Sequence, residues 1–187
     1  MAAYSAKPNN TDFKKISDIW DSDSAFSAAP NGGGILLWKK NPGSQESKIN
    51  FMSIDGKEFK SITKDGVDQG AVWSPNSNDF VFNRLDPKTG KSQIWMSSLS
   101  NPEATKNLGF YGSLDSVIWS RSGKYLYVVG SAEPDGLLKL YKILAATLDR
   151  SEVSPISQKP KFLAISPKED IMVIVNSSGR LSALTLQ

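Results

Sequence analysis

The sequence predicts an all-β protein, a β-propeller built from four repeats of about 46 residues, with four antiparallel strands in each blade. The first observation is a recurring segment, in which a short apolar strand ends in serine and is followed by a polar turn and an alternating apolar strand. Its copies lie at residues 24–38, 71–82, 117–127 and 162–174. The second observation is the spacing of 47, 46 and 46 positions between the strand-ending serines, Ser27, Ser74, Ser120 and Ser166.

The strands of one unit are named a, b, c and d from the hub outward. Strand a is predicted at residues 24–27, 71–74, 116–120 and 162–166. Strand b is predicted at residues 35–40, 79–85, 125–131 and 171–176. Strand c is predicted at residues 48–54, 93–98, 138–144 and 181–186, and strand d at residues 59–63, 105–108 and 153–157. Asp55-Gly56, between c and d of the first unit, is a strong hairpin signal.

The two ends of the chain predict how the ring closes. The fourth unit has no strand d, whereas residues 13–17, FKKIS, match the first strand d, FKSIT, at an offset of 46. Because propellers protect their sheet edges, we expect residues 13–17 to complete the last blade. The result is a four-bladed monomer or, by strand sharing, an eight-bladed dimer; a piece of a longer propeller would look the same.

These strands predict one propeller domain at residues 11–187 behind a flexible lead-in at residues 1–10. The predicted blades cover residues 24–63, 71–109, 116–157, and 162–186 plus 13–17. A β-sandwich is the alternative fold, and the phase of the repeat argues against it.

The composition excludes several function classes. With no His and no Cys, the usual zinc sites, Ser-His-Asp catalysis and disulfides are unavailable, and we expect no metal and no cofactor. The 22 basic and 19 acidic residues are interspersed, which argues against a nucleic-acid footprint. No apolar run approaches the roughly 18 residues of a membrane helix, and the polar N-terminus lacks a signal-peptide pattern.

The repeat motif resembles the WD40-like repeats of TolB-type propellers. Trp73-Ser74-Pro75 followed by Phe80-Val81-Phe82 and then Ile94-Trp95 carries the likeness, and Trp119-Ser120 with Gly123-Lys124 is a second copy. The resemblance covers about residues 13 to 186. It implies a β-propeller that binds proteins, usually outside the cytoplasm, although such repeats also occur beside peptidases. The turn after strand a departs from the family pattern, and the family commonly has six blades.

The loops from d to a and from b to c emerge on one side of the hub, where exposed aromatic residues and charges are typical of protein interfaces. The candidate binding residues on this face are Trp20, Asp23, Asp68, Phe110, Tyr111, Asp115 and Lys161. Trp20 and Phe110 have a structural alternative as lids over blade edges. Asp23, Asp68 and Asp115 are better explained as loop-capping residues than as a catalytic pair or a cation site. Trp73 and Trp119 are predicted to pack between blades.

The leading functional prediction is a non-catalytic scaffold that binds a protein partner through this face. One alternative is binding of a small ligand or glycan in the central funnel. Another is a hydrolase or lyase that uses hub carboxylates, which would need two close carboxyl groups, one with a raised pKa.

Overall fold

The structure, a computed structural model, describes residues 3–5, 14–17, 25–40, 43, 46–64 and 66–186. These residues form seventeen β-strands and two three-residue 3-10 turns, Pro102–Ala104 and Leu114–Ser116. The strands build four antiparallel blades, which confirms the predicted all-β propeller architecture. In the described part of the chain, no helix is both long and apolar enough to cross a membrane.

The strands are numbered in chain order. Before the blades come β1 (Ala3–Ser5) and β2 (Lys14–Ser17). Blade 1 contains β3 to β6, which are Ala25–Ala28, Gly34–Lys40, Ser47–Ser53 and Phe59–Ser61. Blade 2 contains β7 to β10, which are Asp68–Trp73, Asp79–Leu85, Ser92–Ser98 and Lys106–Tyr111. Blade 3 contains β11 to β14, which are Val117–Trp119, Tyr125–Gly130, Lys139–Leu144 and Arg150–Pro155. Blade 4 contains β15 to β17, which are Pro160–Ile165, Ile171–Asn176 and Leu181–Thr185.

The repeated serine closes the turn between strands a and b. In blades 2, 3 and 4 its backbone N–H donates to the carbonyl five residues later, each time over 2.8 Å. In blade 1 the same closure is made by Ala29, whose N–H donates to Gly34 O over 2.9 Å. The triple glycine therefore lies in a shifted copy of the same turn, as its looser sequence predicts.

Two tryptophans lock neighbouring blades together. The indole Nε1 of Trp73 donates to Ser27 O over 2.8 Å, and that of Trp119 donates to Val72 O over 3.4 Å. Both side chains are 6% exposed and belong to apolar clusters, which confirms their predicted packing role. Each inter-blade contact thus combines apolar burial with one specific hydrogen bond.

The N-terminal strand has a different partner from the predicted one. Lys14–Ser17 pairs antiparallel with Ala3–Ser5, within the stretch expected to be a lead-in. Blade 4 has three described strands, and Leu181–Thr185 has Ile171–Asn176 as its described neighbour. The expected closure is therefore not seen, and β2 makes a local pairing that spans few residues and so costs little loop-closure entropy.

In blade 2, strand d (β10) and strand a (β7) are longer than the sequence predicts. β10 runs to Tyr111 instead of ending at residue 108, because Leu108 and Phe110 alternate inward and extend the pairing with β9. β7 begins at Asp68 instead of residue 71, because Asp68 and Gln69 pair with Arg84 and Asn83. Three candidate binding residues expected in loops, Asp68, Phe110 and Tyr111, are therefore strand residues.

Candidate functional site

A cleft of about 320 Å³ opens between blades 2 and 3. In an antiparallel blade the b-to-c and d-to-a loops leave the same edge, and this cleft collects such loops from two neighbouring blades. Its lining residues are Lys91, Ser92, Tyr111, Gly112, Ser113, Ser116, Val129, Ser131, Pro134, Gly136, Leu138 and Lys159. Its volume lies at the lower end of the range for ligand pockets, large enough for one side chain or a small ligand.

The loop at the floor of the cleft is held by a buried amide. Asn83 Nδ2 donates to Gly112 O over 3.0 Å, and Leu114 N donates to Asn83 Oδ1 over 3.1 Å. Asn83 Nδ2 also donates to Gln93 O over 3.2 Å. Because a buried amide with satisfied bonds fixes its neighbours, the loop after β10 keeps one conformation.

Blade 3 holds the other side of the cleft through main-chain pairing. Tyr111 N donates to Ser131 O over 2.8 Å, and Ser131 N donates back to Tyr111 O over 3.0 Å. Gly136 comes so close that a Cβ there would lie 2.3 Å from Ser131 Oγ. A side chain at this position would require the Ser131 hydroxyl to move, so glycine suits the close approach of the b-to-c loop to the cleft.

Tyr111 is partly buried at the edge of the cleft. Its hydroxyl donates to Asp86 Oδ2 over 2.9 Å. Asp86 also accepts from Lys88 N over 3.0 Å and from Thr89 Oγ1 over 2.8 Å. These bonds, first that from the Lys88 backbone, then those from Thr89 and Tyr111, lower the pKa of Asp86. The loop before β9 therefore carries an ionised carboxylate that orients the tyrosine ring.

The charge at the cleft is positive. Its lining contains two lysines and no carboxylate. Lys91 forms an ion pair with Asp135, whereas Lys159 is exposed and has no ion-pair partner among the described residues. The arrangement favours an anionic or hydrogen-bond-accepting ligand group.

An apolar side chain stands beside this polar cleft. Leu137, between the lining residues Gly136 and Leu138, is 85% exposed, the highest value among the large apolar side chains that the structure describes. Single exposed leucines are common on protein surfaces, but this one adjoins a preformed cleft and a partly buried tyrosine. The exposed leucine and the cleft together are the candidate contact surface of the described chain.

The structure describes five of the seven predicted binding residues and places them in three environments. Tyr111 lines the cleft, and Asp115 and Lys161 are exposed beside the d-to-a loops. Trp20 and Asp23 lie outside the described residues. The expectation of exposure is wrong for the remaining two, Phe110 and Asp68, whose side chains are interior.

Phe110 is part of the core between blades 2 and 3. Its side chain is 1% exposed, and its ring centroid lies 4.4 Å from that of Tyr141 in the next blade. The Arg150 guanidinium lies 5.0 Å from the Phe110 ring centroid. Its burial follows from its position in β10, where the residue two before it, Leu108, also points inward.

Asp68 forms a buried ion pair in blade 2. Arg84 donates to both of its carboxylate oxygens, from Nε over 2.6 Å and from Nη2 over 2.9 Å. The Arg84 guanidinium in turn lies 4.7 Å from the Trp95 ring centroid. Asp68 is 0% exposed, so its role in this fold is structural.

Sequence reasoning missed the cleft residues Lys91, Ser113, Ser131 and Lys159. All four adjoin turn signals, either the Pro- and Gly-containing b-to-c loops or the polar d-to-a loops. Their position in the repeat could have placed them on the correct face. Nothing in the spacing of serines and lysines marks them as neighbours, because their convergence depends on the conformations of four separate loops.

The fold defines a class of protein, the β-propeller with antiparallel four-stranded blades. More narrowly, the chain has the fold of a TolB-type β-propeller. TolB from Acinetobacter baumannii superposes with a TM-score of 0.65 at 23% identity, over 93% of this chain and 43% of that protein. A putative TolB from Agrobacterium tumefaciens gives a TM-score of 0.66 at 16% identity, over 92% of this chain and 62% of that protein.

Sequence comparison also finds a TolB. The Tol-Pal system protein TolB of Rhizorhabdus wittichii is 35% identical over 52 residues, which is 28% of this chain and 12% of that relative. The chain therefore spans only a small part of this relative and less than two thirds of either TolB structure. No protein-family model matches the sequence.

The same fold occurs in enzymes. An oligogalacturonate lyase in complex with manganese has a TM-score of 0.60 at 11% identity, over 83% of this chain and 46% of the lyase. A prolyl endopeptidase has a TM-score of 0.62 at 16% identity, over 94% of this chain and 31% of the peptidase. These similarities establish the fold alone, so function has to be argued from the residues of this chain.

Proposed function

We propose that the chain is a protein-binding β-propeller that holds its partner on the face formed by the d-to-a and b-to-c loops, centred on the cleft between blades 2 and 3. The observation that carries the proposal is the preformed cleft with Leu137 exposed at its side and Tyr111 in its lining. The name of the sequence relative, a Tol-Pal system protein, supports a role within a protein assembly.

The candidate face is preorganised for binding. Asn83 and the Tyr111–Ser131 pairing hold the cleft open before a partner arrives, so little ordering entropy is lost on association. Asp115, in the 3-10 turn before blade 3, and Lys161, near the start of β15, are exposed and extend the face as a charged rim. Asp86 supports no acid catalysis here, because its pKa is lowered, whereas a general acid needs a raised one.

The test compares two exposed apolar side chains at opposite ends of the blades. The immobilised protein captures partners from a lysate of its source, and the captured protein is then purified and its affinity measured. Leu137→Asp, on the proposed face, is expected to weaken binding about tenfold or more, as loss of an interface anchor does. Ile171→Asp, at the start of β16 after an a-to-b turn, is the control and should leave the affinity unchanged. Equal affinities for the two variants would refute this face.

A further inference from the structure

The cleft between blades 2 and 3 is larger, and richer in serine and lysine, than three other clefts of the described surface. The volumes of those three clefts are about 110, 160 and 130 Å³, against about 320 Å³ here. Four serines and two lysines line it, and no carboxylate does. Such a lining can donate many hydrogen bonds to a ligand and offers it positive charge.

Two acidic residues near the cleft are already engaged. Asp135 forms the ion pair with Lys91, and Asp86 accepts bonds from Tyr111, Thr89 and the loop backbone. Glu133 lies on the same b-to-c loop as Asp135, outside the lining. Lys159, in contrast, has no ion-pair partner among the described residues. An incoming anion would therefore meet one uncompensated ammonium group directly.

A buried hydroxyl in the lining has no partner. Ser113 Oγ is shielded from solvent and makes no hydrogen bond in the described part of the chain. Ser113 precedes the short 3-10 turn Leu114–Ser116, yet its hydroxyl does not cap that turn. Buried polar atoms without a partner are rare in folded proteins and call for an explanation such as a bound ligand.

We infer that this cleft receives the carboxylate of an acidic side chain on the partner protein. Lys159 provides the main positive charge, and Lys91 adds to it from its pair with Asp135. The unpartnered Ser113 hydroxyl, which is shielded in the free protein, turns toward the carboxylate and donates a hydrogen bond to it. The volume suits one glutamate or aspartate side chain. The inference rests on the proposed function, and it adds the chemical class of the partner's anchoring residue.

The experiment titrates isotope-labelled protein with a hexaglutamate peptide and follows backbone amide resonances. The amides of Ser113, Ser131 and Lys159 should shift together, and hexaglutamine at the same concentration should leave them unmoved. Lys159→Gln and Ser113→Ala should each weaken binding about fivefold, the upper range for a single partly exposed polar contact. Lys91 is not substituted, because its removal would also release Asp135.

The control variant is Lys168→Gln, which removes the same charge from the turn between strands a and b on the opposite side of the blades. It should bind hexaglutamate like the unaltered protein. If it weakens binding as much as Lys159→Gln, only net charge is being measured and the inference fails. The inference also fails if hexaglutamine binds equally well, or if free sodium glutamate shifts the same amides at the same carboxylate concentration, which would assign the cleft to a small anion. A partner that depends on Leu137 while hexaglutamate does not bind would leave the proposed function intact and overturn this inference alone.

Discussion

Copies of the same repeat differ in how well their side chains are packed. The comparison is between the contact of blades 2 and 3 and the exposed apolar side chains of blade 4. Between blades 2 and 3, Trp119 and Phe110 are almost fully buried. On blade 4, Phe162 is 59% exposed and Leu181 is also largely exposed. A blade therefore acquires its stability from its neighbours, and the candidate binding cleft forms where two four-stranded blades meet.

Blade 1 shows the same effect at a single repeat position. Phe26 occupies the place that Trp73 and Trp119 hold in the next two blades, since each precedes the repeated serine. The tryptophans are buried against a preceding blade, whereas Phe26 is 69% exposed. The residue type of the repeat thus predicts an aromatic side chain at this position, whereas the extent of its burial differs from blade to blade.

The largest expected effect is a loss of stability, and two Phe→Ala variants test the comparison directly. Phe110→Ala removes a ring packed between blades 2 and 3, and should lower the free energy of unfolding by about 3–5 kcal/mol. Phe162→Ala removes an exposed ring from blade 4 and should cost less than about 1 kcal/mol. Urea denaturation measures both. Similar losses would mean that the two regions do not differ in packing energy.

Only part of this contrast could be predicted from the sequence. The phase of the serines predicts four blades, and the Trp73 and Trp119 positions predict inter-blade packing. Phe110 was misplaced because a d-to-a loop and an extended strand d share the same polar flanks, although the alternation of Leu108 and Phe110 was a usable signal. Asp68 was misplaced because its partner, Arg84, lies across a strand pair whose register the sequence does not reveal.

The binding cleft was harder to predict than the fold for a physical reason. Blade formation depends on local alternation and turn chemistry, which a repeat displays several times over. The cleft depends on single residues such as Asn83, which has no counterpart in the repeat motif and acts through contacts distant in sequence. The predicted partner of the N-terminal strand was wrong for a related reason. Its sequence specifies a strand but does not specify which sheet edge the strand pairs with.

A second, smaller effect concerns the buried ion pair of blade 2. Asp68→Asn leaves the Arg84 guanidinium without its counter-charge and should destabilise the fold by about 3 kcal/mol. Asp115→Asn, at an exposed aspartate of the candidate face, is the matched control and should change stability by less than about 0.5 kcal/mol. Thermal and urea unfolding of both variants measure the difference. A destabilised Asp115→Asn protein would indicate a structural role for that residue as well.

The smallest effect lies at the edge of the cleft and depends on pH. Bonds from the Lys88 backbone, Thr89 and Tyr111 lower the folded-state pKa of Asp86 below its ordinary value of 3.8. Because the folded pKa is the lower one, these bonds contribute stability that is fully present above pH 3.8 and is lost as the pH falls through the folded pKa. Tyr111→Phe removes one of the three bonds, so the Asp86 pKa should rise toward 3.8 in a carboxyl NMR titration. Because Lys88 and Thr89 keep their bonds, the rise should be partial, and an unchanged pKa would show that the tyrosine hydroxyl does not hold this loop to blade 2.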